Sequence, residues 1–143
     1  MIDFDLDDPA MPPARRASLL SRAAVEANDR EGWLALFTPD AVVADPVGPS
    51  PLDPAGAGHH GLEAIGAFYD SVIGPNDIAM DIRSSHAGGN EVANVVTITT
   101  TFPDGSKAIV DTVVTYRVDD DGRLVALRAF WEMDQLRFEI PDQ

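Results

Sequence analysis

At 143 residues, with a formal charge of −14 and no cysteine, the chain excludes disulfides, thiol nucleophiles and cysteine-held zinc, and its charge repels nucleic acid and anionic membrane surfaces. A chain of this length buries roughly 68–70% of its unfolded surface, so one domain with an enclosed pocket needs neither metal nor disulfide to fold. Its 45% hydrophobic content, with no apolar run near the ~18 residues of a membrane span, describes a soluble globular protein that suits a neutral or weakly polar small-molecule partner.

The start, MIDFDLDDPAMPP, is acidic and carries prolines where a secretory signal needs basic residues and an apolar middle. Residues 1–14 read as a flexible acidic leader to a single cytoplasmic domain over 15–143. Arg15 to Asn28 is rich in helix formers and shows an apolar stripe through Leu20, Ala23, Ala24 and Ala27. A second, short helix, REGWLALF, aligns Trp33, Leu34 and Phe37 and stops at TPD. AVVAD then reads as a strand with Val43 and Asp45 on one face. GPSPLDPAGAGHHG is a loop by composition, and helical spacing resumes from Leu62 to Ile73 until Gly74 and Pro75 end it.

The remainder reads as strands: IAMDIRS, VANVVTITTTF, KAIVDTVVTYRV and RLVALRAFWEM, with turns at PDGS and DDDG. In KAIVDTVVTYRV the even set from Ala108 to Val118, including Val114 and Tyr116, is the apolar one. In the last strand Val125, Leu127, Ala129, Trp131 and Met133 take that part, with Arg128 and Glu132 opposite. Helices followed by an antiparallel meander give an α+β class: a sheet curved into a cone around an apolar cavity, or a flat sheet with solid packing.

Among chemistry-bearing residues, Asp45 precedes Pro46 and reads either as a turn cap or as a proton acceptor at a cavity rim. Tyr69 and Tyr116 lie on apolar faces, as core tyrosines or as phenol donors. His59 and His60 are adjacent in a glycine loop and lack metal-ligand spacing, so no metal site is expected. His86 reads as a turn residue. GAGHHG lacks dinucleotide-site spacing, DDDG lacks calcium-loop spacing, and no serine lies in a nucleophile elbow.

Three stretches, NDREGWLALFTPDAVVADPVG, GLEAIGAFYDSV and DGRLVALRAFWE, resemble in order and separation the bacterial ketosteroid isomerases of the wider NTF2-like, polyketide-cyclase-like (SnoaL-like) superfamily. The resemblance runs from about Arg15 to Trp131, with its gap in the Pro/Gly loop. It implies a cystatin-like cone, three helices wrapping a curved mixed sheet, with Asp45 as general base and no cofactor. It also implies a homodimer through the sheet, by way of Ile109, Val113 and Thr115.

Carried over position by position, the oxyanion tyrosine falls on Ser21 and the oxyanion aspartic acid on Val114, so both donors are replaced. Substitute donors are Tyr69, Tyr116 or a water near Ser21, with Val114, Leu127 and Trp131 as pocket walls. Asp111 lies on the opposite strand face from Val114. Three functions follow: proton transfer on a steroid-like or polycyclic ketone, a cyclase or epoxide-opening reaction on the same fold, or a non-catalytic binding or dimerisation module.

Overall fold

Helix α1 (Pro13–Glu26) opens on a proline, whose fixed φ and missing N–H suit a first helical turn. In the computed structural model, which describes residues 2–141, this helix lies across β-strands with Ala14, Ala17, Ser18, Ser21 and Val25 buried. The stripe expected through Leu20, Ala23, Ala24 and Ala27 is therefore corrected: Leu20 is 40% exposed, and Ala23 and Ala27 face solvent. A helix with alanine on every side gives a weak periodic signal, and its smallest residues allow the closest approach to the sheet.

Helix α2 (Arg30–Leu34) is capped by Asp29, whose carboxylate accepts from the Gly32 N–H at 3.0 Å. It is shorter than expected, because strand β1 (Phe37–Ala44) already begins at Phe37. Trp33 and Phe37, 1% and 0% exposed, meet edge to face with ring centroids 4.8 Å apart, and each such burial contributes about 1.5–3 kcal/mol.

After the Pro/Gly loop, strand β2 (His59–His60) pairs back on β1, bringing His59 beside Val43. Helix α3 (Gly61–Phe68) runs directly into a π-helical turn, Tyr69–Ile73. Four long strands follow: β3 (Asp77–Gly88), β4 (Glu91–Thr101), β5 (Lys107–Val118) and β6 (Leu124–Phe130). A short β7 (Arg137–Glu139), not expected from the sequence, pairs with the start of β5.

The sheet order is β2-β1-β6-β5-β4-β3, and β1 and β6 are its parallel pair, so the sheet is mixed, curved and unclosed. All six even residues of β5 from Ala108 to Val118 are buried, as their alternation predicts. In β6 the expected odd set fails at its first member. The register shifts between Arg117 and Val118, which turns Leu124 inward in place of Val125, after which Leu127 and Ala129 follow the pattern.

Phe4 and Met11, in the expected leader, pack against the core, and the Arg15 guanidinium stands over the Phe4 ring at 5.7 Å. Position 1 of that leader and positions 142–143 of the expected domain lie outside the described residues. Among the described residues no helix is long and apolar enough to cross a membrane.

Candidate active site

The curved sheet and the helices enclose a cavity of about 370 Å³ with predominantly apolar walls. This decides between the two packings that periodicity left open. The three expected walls line it, Val114 from β5, Leu127 from β6 and Trp131 just beyond β6, and so does the candidate donor Tyr116 of β5. Ser21, from the buried face of α1, and Asp45, one residue past β1, line it as well.

Asp45 reaches this place through strand pairing. β1 runs parallel to β6 with Val43 beside Leu127 and Ala44 beside Arg128. The next residue of β1's path then comes level with the end of β6, where Trp131 Nε1 donates to Asp45 Oδ1 at 2.7 Å. A cis peptide bond joins Asp45 to Pro46, and the Val47 N–H donates to the Ala129 carbonyl at 2.9 Å, which ties down the segment after the carboxylate.

Burial is the main influence on this carboxyl and pushes its pKa above the ordinary value. The Trp131 N–H and the nearby His59 pull in the opposite direction. Asp45 is thus a partly dried carboxylate with one oriented donor, facing a greasy chamber.

Tyr116, 3% exposed, sits within electrostatic reach of Asp45. Its phenol pKa is raised, first by burial and then by the Asp45 charge, against a hydrogen bond with Ser21 that lowers it. Ser21 Oγ in turn accepts from Trp33 Nε1 at 3.0 Å. Trp33, Ser21 and Tyr116 therefore form a buried polar chain that ends at the cavity wall.

Tyr69 is placed elsewhere. Its hydroxyl donates to Asn28 Oδ1 at 2.5 Å, its ring leans on Trp33 with centroids 5.5 Å apart, and it is not among the cavity-lining residues. Asp111 is on the outer face, accepting from Thr97 Oγ1 at 2.6 Å and from Arg137 at 3.1 Å. His60 bonds the Ala57 carbonyl at 2.7 Å. His59 packs on Phe68 with ring centroids 4.9 Å apart, beside Asp45's strand and outside the cavity wall. Among the described residues no three His, Asp or Glu side chains are grouped to hold a metal ion.

Several wall residues escaped sequence reading. Phe102, Leu136 and Phe138 line the outer part of the cavity, and Asn76 and Thr100 contribute polar atoms there. The run LRF was the available signal for β7, but three residues carry too little periodicity to be read.

The SnoaL-like domain family matches residues 20–127. A steroid delta-isomerase of Nocardioides simplex is 29% identical over 97 residues, covering 68% of this chain and 72% of that protein. The crystal structure of the delta 5-3-ketosteroid isomerase from Mycobacterium sp. is 42% identical with a TM-score of 0.87, over 90% of this chain and 100% of that one. RV0760c from Mycobacterium tuberculosis, in complex with estradiol-17beta-hemisuccinate, is 37% identical with a TM-score of 0.85, again over 90% and 100%.

Proposed function

The chain belongs to the SnoaL-like domain family, and from that premise we propose that it is a cofactor-independent isomerase of a steroid-like 3-ketone, with Asp45 as general base. The observation that carries the reading is the Asp45 carboxylate, dried by burial, oriented by Trp131 and facing an apolar cavity whose wall also holds the Tyr116 hydroxyl. The likeness to steroid isomerases at 29% and 42% identity supports the same substrate class.

In this reading Asp45 takes a proton from the carbon between the carbonyl and the isolated double bond. The electron pair moves onto the carbonyl oxygen, and Asp45 returns the same proton at the far end of the conjugated system. A carboxylate in water is a weak base for such a proton, and desolvation strengthens it.

The developing oxyanion needs donors, and neither Ser21 nor Val114 supplies the family's pair. Tyr116 is the better substitute: its hydroxyl stands at the cavity wall with Ser21 behind it and within electrostatic reach of Asp45. Tyr69 is engaged with Asn28 and serves the fold.

The test follows the conjugated enone absorbance that develops from a 5-ene-3-ketosteroid. Turnover by the wild type, lost in Asp45→Asn, supports the proposal. Undiminished turnover in that variant removes Asp45 from the mechanism. The replaced donors favour one second reading, acid/base chemistry by Asp45 on a different polycyclic substrate, and the absence of both steroid binding and enone formation would select it, whereas tight steroid binding without turnover would mark a non-catalytic binding module. A homodimer through the outer sheet face, where Ile109, Val113 and Thr115 are partly exposed, is the proposed assembly, and sedimentation velocity tests it.

A further inference from the structure

The cavity has polar atoms in two separate places. One group is Asp45, Tyr116 and Ser21; the other is Asn76, where the chain enters β3, and Thr100, near the end of β4, while Ser71, also on the wall, donates its hydroxyl to the Ala67 carbonyl of its own helical segment. Strand register fixes how far apart they are. Thr100 pairs with Ala108, whereas Tyr116 lies eight positions further along β5, a contour of about 26 Å at ~3.3 Å per residue that the sheet's curvature shortens in space.

Thr100 also pairs with Ile78, and Asn76 is two residues before Ile78, so the two side chains are diagonal neighbours on the cavity face. Phe102 and the exposed Phe138 flank them, which puts this second group toward the mouth.

The two groups differ in how their hydrogen-bonding capacity is used. Asn76 Nδ2 donates to the Val72 carbonyl at 2.8 Å, which fixes the amide and leaves Oδ1 without a protein partner among the described residues. The Thr100 hydroxyl likewise has none. By contrast, Thr112 of β5, a buried threonine, is satisfied by the Phe130 carbonyl. The π-helical turn Tyr69–Ile73 widens the helix face here, so Val72 and Ile73 both line the cavity just before Asn76.

From this arrangement we infer a distal polar subsite, made by Asn76 Oδ1 and the Thr100 hydroxyl, that selects ligands carrying an oxygen function at the end remote from the reacting ketone. The inference rests on the steroid-like reading above and names the substrate class more narrowly: a long fused-ring ketone oxygenated at both ends, entering ketone first. A hydrocarbon end laid against Thr100 and Asn76 strips water from them and offers nothing in return, so the site discriminates against it. A distal hydroxyl matches both groups, donating to Asn76 and accepting from Thr100. A distal ketone matches Thr100 alone.

The test compares three unreactive 4-ene-3-ketosteroids differing at ring carbon 17: hydroxyl, ketone and unsubstituted. Binding is read as quenching of Trp33 and Trp131, both cavity-lining. The wild type is expected to bind the 17-hydroxy ligand about 5- to 10-fold more tightly than the unsubstituted one. Thr100→Val and Asn76→Ala should each shrink that ratio, weakening the 17-hydroxy ligand and tightening the unsubstituted one, and Thr100→Ser should restore it.

Equal affinities for all three ligands in the wild type, or variants that weaken all three alike, overturn the subsite. No binding of any steroid overturns both the subsite and the steroid reading. Binding with the expected ratio, but without turnover of the 5-ene substrate, leaves the subsite standing and removes only the isomerase reading.

Discussion

Trp131 and Asp45, 86 positions apart in the chain, are joined by a 2.7 Å hydrogen bond from the indole N–H to the carboxylate at the cavity wall. The indole lowers the carboxyl pKa that burial raises. Trp131→Phe should therefore move the acid limb of the kcat/KM profile upward. It should also lower turnover by about 10- to 100-fold through lost orientation of the base. A pH–rate profile of both proteins checks this, and an acid limb that stays in place counts against the indole as a tuning donor.

The Tyr116 phenol is the proposed oxyanion donor. Tyr116→Phe is expected to lower kcat by roughly 10²–10³-fold with a smaller change in steroid affinity. Ser21→Ala, which removes the group behind the phenol, should have the same sign and a smaller size. Equal losses in kcat and in affinity would instead mark Tyr116 as a wall.

Val114, 2% exposed, stands where the resemblance puts an oxyanion aspartic acid. Val114→Asp should raise kcat on a 5-ene-3-ketosteroid, because an aspartic acid kept neutral by apolar surroundings donates a hydrogen bond. The same change buries a polar group and should reduce stability by about 1–3 kcal/mol. Chemical denaturation and the enone assay report the two effects separately.

Asp45 has a folded-state pKa above its ordinary value, so the folded protein holds that proton more tightly than the unfolded chain does. Its ionisation therefore destabilises the fold. The penalty is absent below the unfolded-state pKa, where both states are protonated, and grows until pH passes the folded-state pKa. Asp45→Asn should melt higher than wild type at neutral pH, with the gap closing in acid. Melting curves across pH test the sign, and a variant that is less stable at neutral pH contradicts it.

Tyr69→Phe is expected to cost about 1 kcal/mol of stability by deleting the bond to Asn28, while kcat stays within about twofold. A large loss of turnover would return this tyrosine to the chemistry.

What was legible in the sequence depended on how strongly neighbouring residues constrained one another. The β5 alternation from Ala108 to Val118 is readable because every second residue, six in all, belongs to the inward set and nothing interrupts the pleat. The place of Asp45 on the cavity wall is legible in DPVG and in its position at the end of an apolar strand, whereas Trp131, its indole partner, reads from the sequence only as a pocket wall. The buried side of α1 was not readable, since alanines and serines on all faces leave burial to be decided by the sheet. Val125 was misassigned because a register shift at the β5–β6 turn depends on pairing, which periodicity along one strand does not encode. Asn76 and Thr100 carry no signal in the sequence, since neither type is unusual in its local setting. Only the fold brings them to one wall.

The parallel pairing of β1 with β6 also bears on biosynthesis. β1 is made before the β3–β5 meander and its neighbour β6 after it, and the indole that grips the carboxylate follows that strand. A nascent chain can assemble helices and the β3–β5 meander while the Asp45 carboxylate still lacks its indole partner. The bond between Asp45 and Trp131 thus forms only after β6 has been made and paired, so a chain halted before Trp131 lacks it.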